Sequence, residues 1–143
     1  MTQEDKKLLL KDLCARLPYN VICQVEFKEN GKYNSKVMLL SGIFTDEAYF
    51  TTKGGSIYSN EYKPYLFPLS SMTSEQLFEV QEIMGKNEIE IEDGFFNIID
   101  SSRNTITYLE ILAVLEWFYK NHFDINGLIE RGLAIDATGL NIY

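Results

Sequence analysis

The chain has 143 residues, of which 45% are hydrophobic and 13% aromatic, and its formal net charge is −8. This length and composition favour one domain whose core needs neither a disulfide nor a metal. The acidic balance disfavours proteins that coat double-stranded nucleic acid, because that function depends on basic side chains that displace phosphate counterions. We therefore predict a single domain over residues 1–143, β-rich at 20–69 and mainly helical at 73–143.

The N-terminal segment predicts a helix from Gln3 to Arg16, which Pro18 ends because the residue before a proline is disfavoured in the α region. Four residues at helical spacing share its apolar face: Leu10, Leu13, Cys14 and Leu17. The apolar run is too short for a signal peptide, and acidic residues stand where a signal peptide is basic. With two cysteines and no visible export signal, we expect a cytoplasmic protein with free thiols.

Residues 20–69 predict short strands joined by tight turns. Asn20–Phe27 alternates apolar and polar residues, which indicates a strand with one solvated face. Asn30-Gly31 predicts a hairpin turn, since both central residues must accept a positive φ. The return strand, Tyr33–Phe44, contains a candidate bulge at Gly42. Two further strands follow, Ala48–Thr52 and Ser56–Ser59. The strands together predict a meander or a small SH3-like barrel.

The second half of the chain begins with an extended segment at residues 63–69, whose two prolines each lack a ladder donor. We expect this segment to leave the sheet edge and to cross the core. Thr73 and Gln76 then form a capping box for a helix that ends at Gly85. Residues 88–100 predict a hairpin that turns near Asp93-Gly94.

The most apolar stretch, residues 107–123, predicts a buried helix that we call the hub helix. Its apolar side chains cover most of the circumference, and Thr107 and Glu110 form a capping box at its start. It is shorter than the ~20 apolar residues of a membrane span and contains Glu116. We therefore place the hub helix, including Trp117, in the core.

After the hub helix, Asp124 is expected to cap a short helix that ends at Gly132, and residues 133–135 predict a last short strand. The final residues are expected to fray. The whole pattern is that of an α+β fold, with a mainly antiparallel meander or small SH3-like barrel. An N-terminal helix and a C-terminal helical part flank this sheet.

Three segments are familiar as strings: LLLKDLCARLPYNV at 8–21, KPYLFPLSSMTSEQ at 63–76 and NHFDINGLIERGLAID at 121–136. Together they resemble a family of small uncharacterised proteins in phages and prophages of Bacteroides-type gut bacteria. Family members often carry a second histidine where this chain has Asn121 and an arginine where it has Phe67. The resemblance implies a phage-derived, cytoplasmic origin, and it brings no known activity and no catalytic residue.

Candidate catalytic groups each have a simpler structural explanation. His122 is the single histidine, and it can act as a general base oriented by Asp124 or simply close a helix C-terminus, where its charge suits the dipole. Cys14 and Cys23 lie on apolar faces of their elements, and buried thiols are inert. Their spacing from each other and from His122 fits no zinc motif.

Candidate ligand sites are equally weak. Glu88, Glu90 and Glu92 share one strand face and can offer oxygens to a calcium or magnesium ion, but a solvated acidic face also explains them. The glycine-rich residues 53–56 lack the frame of a phosphate-binding loop and predict a hairpin turn. We therefore expect no metal and no cofactor.

Aromatic residues are concentrated between residues 49 and 67, where they either fill the core or form an interface. The candidate interaction surface consists of Tyr49, Tyr58, Tyr62, Tyr65 and Phe67. We expect Tyr58, Tyr62 and Tyr65 to form an exposed patch. The favoured function is non-enzymatic binding of an unknown protein partner or self-association, with no membrane partner. The alternative is a single-stranded nucleic-acid-binding domain that stacks bases on these tyrosines, and an enzyme ranks third.

Overall fold

The computed structural model describes residues 1–44, 47–85, 88–92, 95–99 and 107–143. The helices are α1 (Gln3–Arg16), α2 (Ser74–Ile83) and α3 (Tyr108–Lys120). The strands are β1 (Ile22–Glu29), β2 (Lys32–Ile43), β3 (Ala48–Thr52), β4 (Gly55–Ser59), β5 (Glu61–Pro68), β6 (Glu88–Glu92), β7 (Phe95–Ile99), β8 (Phe123–Asp124) and β9 (Ile135–Asp136). A mainly antiparallel sheet with flanking helices confirms the predicted α+β class. No helix in these ranges is long and apolar enough to cross a membrane.

The main sheet has the strand order β4-β3-β2-β1-β5-β8, and β9 also pairs with β5. Strands β1 to β5 pair antiparallel, whereas β8 and β9 run parallel to β5. The sheet curls until the end of β4 approaches β1, where the Ser59 hydroxyl donates to the Glu26 carbonyl over 2.7 Å. Among the described strands, however, β4 has no ladder to β1 or β5. The sheet is therefore an open, curled meander and not a closed barrel.

The turns of the meander follow the prediction. Asn30 and Gly31 have φ angles of 51° and 79°, as the two-residue turn between β1 and β2 requires. The register between β2 and β3 shifts next to Gly42, which confirms the predicted bulge. Another predicted turn position, Asp93-Gly94, lies outside the described residues.

The expectation that residues 63–69 leave the sheet edge is wrong, because β5 lies inside the sheet between β1 and β8. Hydrogen-bonded and non-hydrogen-bonded pairs alternate along an antiparallel ladder. Counted from the β1–β2 turn, Cys23 directs its backbone groups toward β2, so it forms a non-hydrogen-bonded pair with Pro64. No ladder bond to β1 is lost at Pro64. Pro68 stands at the end of the short ladder with β8, where a missing donor is tolerated.

Helix α1 has the predicted bounds but buries a different face. Its buried residues are Leu9, Asp12, Leu13 and Arg16. Leu10 is 37% exposed and Cys14 is exposed as well, so the predicted face is wrong for both. The reason is that Asp12 and Arg16 are buried as an ion pair, and apolar spacing alone does not indicate a polar pair in the core.

Helix α3 is not the buried hub that its apolar circumference predicts. Its capping box at Thr107 is present, but Tyr108 and Leu109 are 72% and 75% exposed. Only Val114 and Phe118 are buried, in the smaller of two core clusters, which α3 shares with α2 and β8. The larger cluster is formed by α1, strands of the main sheet and the segment after β8. Trp117, expected in the core, is half-buried, and its Nε1 donates to the Glu79 carboxylate over 3.1 Å.

The C-terminal segment is more ordered than the sequence indicates. The Asp124 carboxylate accepts from the backbone N–H groups of Leu128 and Ile129, but residues 125–134 form turns where a short helix was expected. The last strand is present as β9. The expectation of a frayed end is wrong, because the Tyr143 hydroxyl donates to the Tyr65 carbonyl over 2.7 Å.

Candidate interaction surface

An aromatic cluster lies on the outer face of the meander and consists of Phe44, Tyr49 and Tyr58. Tyr49 and Tyr58 are directly opposite each other on β3 and β4, and their ring centroids are 4.8 Å apart. The Phe44 ring lies 5.9 Å from that of Tyr58. Phe44 and Tyr58 expose 55% and 54% of their surface, whereas Tyr49 is half-buried beneath them. The three rings therefore pack on one another at the surface and not in the core.

Local strand geometry explains why these rings meet. Side chains alternate between the two faces of a strand, so Tyr49 and Tyr58 face outward while their neighbours Phe50 and Ile57 face the core. Tyr49 and Tyr58 form a non-hydrogen-bonded pair when pairs are counted from the β3–β4 turn, and such pairs bring side chains close together. The bulge at Gly42 brings the chain beneath Phe44 and Tyr49, since a Cβ at this glycine would lie 3.6 Å from each side chain.

The other three candidate residues do not join this cluster. Tyr62 is half-buried and packs on Phe50 at a centroid distance of 5.1 Å. Tyr65 is only 7% exposed, and its hydroxyl donates to Gln24. Phe67 lies between the rings of Phe123 and Tyr143. The expected exposed patch is therefore wrong for Tyr65, because the consecutive residues 64–66 of β5 are all buried, so that both faces of the strand are covered there.

A buried polar centre, which the sequence analysis did not identify, lies where α1 meets the end of α3. Arg16 Nε donates to Asp12 Oδ2 over 2.6 Å, and Arg16 Nη2 donates to the Phe123 carbonyl over 2.7 Å. Asn126 donates to the second Asp12 oxygen over 2.8 Å. Arg16 also lies over the Tyr119 ring, 5.0 Å from its centroid. A buried pair with these extra hydrogen bonds positions α1, α3 and the C-terminal segment relative to one another.

His122 lies beside this centre in the left-handed region, with a φ of 60°, directly after α3. Its ring stacks on Tyr143 at a centroid distance of 3.8 Å, and its Nδ1 is buried without a hydrogen-bond partner in the described structure. Burial, with a smaller effect of the Arg16 charge, lowers the pKa of His122 from 6.5 to about 4. His122 thus closes the C-terminus of α3, as its simpler explanation predicts, and the lowered pKa favours the neutral ring over the charged one.

In the described structure, His122 and Asp124 do not form the catalytic pair that the sequence leaves open. The Asp124 carboxylate binds backbone N–H groups and makes no hydrogen bond to the His122 ring. Cys14 is exposed, contrary to expectation, whereas Cys23 is buried and its pKa is raised by desolvation. Both thiols are free, as expected.

The described ranges contain no group of three or more histidine, cysteine or acidic residues that could hold a metal ion. The side chains of Glu88 and Glu92 lie outside the described structure, so the acidic strand face remains a prediction. Lys53 and Gly54 form the turn between β3 and β4, as the sequence indicates. The chain matches no protein-family model, no curated protein and no solved structure.

Proposed function

We propose that this protein acts by binding another protein through the aromatic cluster of Phe44, Tyr49 and Tyr58. The supporting observation is that two rings of the cluster expose more than half of their surface while they pack against each other. Aromatic residues are enriched at protein interfaces, because a rigid ring contributes a large contact area at a low cost in conformational entropy. A surface of this kind provides anchors for a partner without any catalytic group.

The charges around the cluster favour a protein partner over a nucleic acid. The groove beside Tyr58 is lined by three carboxylates, Glu26, Glu47 and Glu61, and by one lysine, Lys28. Base stacking on Tyr58 would bring phosphates close to these carboxylates, and the formal net charge of −8 adds to the repulsion. Single-stranded nucleic acid is therefore the weaker candidate.

The test replaces both exposed rings in the variant Phe44→Ser/Tyr58→Ser. The matched control is Tyr108→Ser/Leu109→Ser, which removes two apolar side chains from α3 that are even more exposed. Each α3 substitution should change the free energy of unfolding by no more than about 0.5 kcal/mol, and each cluster substitution by roughly 0.5–1.5 kcal/mol, because it also removes a ring–ring contact. A partner is identified by cross-linking in cells, purified, and titrated against each variant by calorimetry.

We expect the cluster variant to bind the partner roughly tenfold or more weakly, as truncation of aromatic anchors usually does, and the α3 variant to bind normally. Equal affinity of wild type and cluster variant, or a loss confined to the α3 variant, contradicts the proposal. Binding of a fluorescent single-stranded oligonucleotide at physiological salt, lost in the cluster variant, assigns the surface to nucleic acid instead.

We place this role in the cytoplasm, which the two free cysteines support. The phage-derived origin implied by the resemblance of residues 63–76 and 121–136 stays a prediction.

A further inference from the structure

A groove of about 560 Å³ lies between β1 and β4, at the gap where the curled sheet fails to close. Its walls are residues 27–29 of β1 and residues 54–57 of β4 with the preceding turn, and Met38 lies between them on β2. A second groove of about 410 Å³ continues along the same two strands toward Tyr58 and shares Phe27, Lys28 and Ile57 with the first. The two grooves form one channel, which we call the β1–β4 channel.

The channel is bordered by two strand edges that pair with no other strand in the described structure. Residues 27–29 of β1 extend beyond the ladder with β5, which ends at Glu26. Counted from the two-residue β1–β2 turn, Lys28 forms a non-hydrogen-bonded pair with β2, so its N–H and C=O point into the channel. By the same count from the β3–β4 turn, the backbone groups of Ser56 and Tyr58 point away from β3. Three residues therefore present unpaired backbone donors and acceptors to one space.

The side chains along the channel are apolar on the inner side and charged at the two ends. Phe27, Met38 and Ile57 line the inner side. The end near the β3–β4 turn is lined by Lys36 and Glu29, and Lys28 lines both grooves. The end near Tyr58 is lined mainly by carboxylates, from Glu26, Glu47 and Glu61. Neither Lys28 nor Lys36 forms an ion pair within the described ranges. Each ammonium lies over an aromatic ring, Lys28 over Tyr33 and Lys36 over Phe27. Glu26, Glu47 and Glu61 likewise form no ion pair in the same ranges, so the charges of both ends are available to a ligand.

We propose that the β1–β4 channel binds an extended peptide segment of a partner protein, which adds a strand to the outer edge of β4. The segment is acidic where it passes Lys28 and Lys36, basic at the end beside Glu47 and Glu61, and apolar at alternate positions between them. Strand addition of this kind draws affinity from main-chain hydrogen bonds and specificity from alternate side chains. This inference rests on the proposed protein-binding function, because Tyr58 of the aromatic cluster lines one end of the channel.

The test selects binders from a library of random eight-residue peptides on the immobilised full-length protein. The selected peptides are expected to alternate apolar residues and to carry opposite charges at their ends. The key variant is Ser56→Pro, which removes an N–H of β4 that points outward and makes no ladder bond to β3. Residue 56 lies on an edge strand, where proline is tolerated. Ser56→Ala is the matched control, because it keeps the backbone donor.

Measured by fluorescence anisotropy, Ser56→Pro should weaken binding of a selected peptide roughly tenfold, whereas Ser56→Ala should leave it within about twofold. Lys28→Glu/Lys36→Glu should weaken binding roughly fivefold or more at low salt. If Ser56→Pro fails to fold, the wild-type protein is titrated with the selected peptide carrying N-methyl groups on alternate residues. This methylated peptide should not bind.

Three outcomes overturn the inference. The first is that no peptide is selected, or that the N-methylated peptide binds as well as its parent. The second is concentration-dependent self-association that Ser56→Pro abolishes, which assigns the channel to a second copy. The third is that a single-stranded oligonucleotide binds in a manner lost in Lys28→Glu/Lys36→Glu. The protein-binding function can survive each of these, because it is tested separately by partner loss in Phe44→Ser/Tyr58→Ser.

Discussion

His122 should make the protein lose stability as the pH falls from neutral to mildly acidic. Its pKa is 6.5 in an ordinary setting and about 4 in the folded state, where the ring is buried against Tyr143 and close to the Arg16 charge. Above pH 6.5 the ring is neutral in both states and contributes no pH dependence. Between pH 6.5 and 4 the unfolded state binds the proton and the folded state does not, so the free energy of unfolding falls. At about 1.4 kcal/mol for each pH unit, the loss reaches about 3 kcal/mol at pH 4.

The assay is urea denaturation at pH values from 7.5 to 4.0, with His122→Asn as the comparison. Asparagine tolerates the left-handed backbone of residue 122 and does not titrate. At neutral pH the substitution should lower the free energy of unfolding by a constant amount, because the stacking on Tyr143 is lost. The difference in stability between wild type and variant should shrink by about 3 kcal/mol on acidification, because only the wild type is destabilised by the proton that His122 binds in the unfolded state. Parallel pH profiles for the two proteins, or an NMR titration of native His122 near pH 6.5, would refute the reasoning.

Three further outcomes are expected. Arg16→Met should lower the free energy of unfolding by roughly 3–5 kcal/mol, because its carboxylate partner is left buried and unpaired, whereas the surface control Arg131→Met should change it by less than about 1 kcal/mol in the same urea titration. Tyr143→Phe should cost about 1 kcal/mol in thermal unfolding, since its hydroxyl serves backbone groups of β1 and β5. A thiol reagent should label native Cys14 within minutes and leave Cys23 unlabelled until the chain unfolds, as followed by mass spectrometry; equal rates would contradict the burial difference.

Local chemistry predicted the elements of this fold well. The turn at Asn30 and the capping boxes at Thr73 and Thr107 each depend on residues within four positions of one another, so a short window of sequence contains the whole cause. The bulge at Gly42 belongs to the same class. These features are correct because no distant part of the chain has to be placed first.

Burial was harder to predict, because it depends on which distant segments arrive. The buried face of α1 contains Asp12 and Arg16, whose partners Asn126 and Phe123 lie more than 100 residues away. Apolar periodicity cannot indicate a charged pair that becomes stable only through such contacts. Helix α3 shows the converse case. Its apolar circumference indicates which residues the helix can bury, but it does not indicate which other elements pack against them.

The candidate site shows the same division. The concentration of aromatic residues between 49 and 67 indicates Tyr49 and Tyr58, but Phe44 joins them only through the bulge in β2. The sequence predicts Tyr65 at the surface, because it predicts that residues 63–69 leave the sheet edge. In the structure β5 is a strand of the sheet, and Tyr65 is buried with its hydroxyl bonded to Gln24 of β1. An incorrect position for β5 therefore changes the predicted location of Tyr65 from the core to the surface.

Among the described residues, the backbone groups at strand edges next to the channel have hydrogen-bond partners, whereas those along the channel do not. On the β5 side, the Ile22 N–H donates to the Tyr143 hydroxyl, and β8 and β9 each pair with β5 beyond its ladder with β1. At the closed end of the gap, the Ser59 hydroxyl satisfies the Glu26 carbonyl. Along the channel itself, within the described structure, no side chain or strand bonds the backbone groups of Lys28, and the β4 edge is likewise bare. Unpaired strand edges promote aggregation unless they are covered or blunted. A fold that caps neighbouring edges with specific hydroxyls and leaves this one open, beside lysines and an apolar floor, has the features of an edge that a partner strand completes.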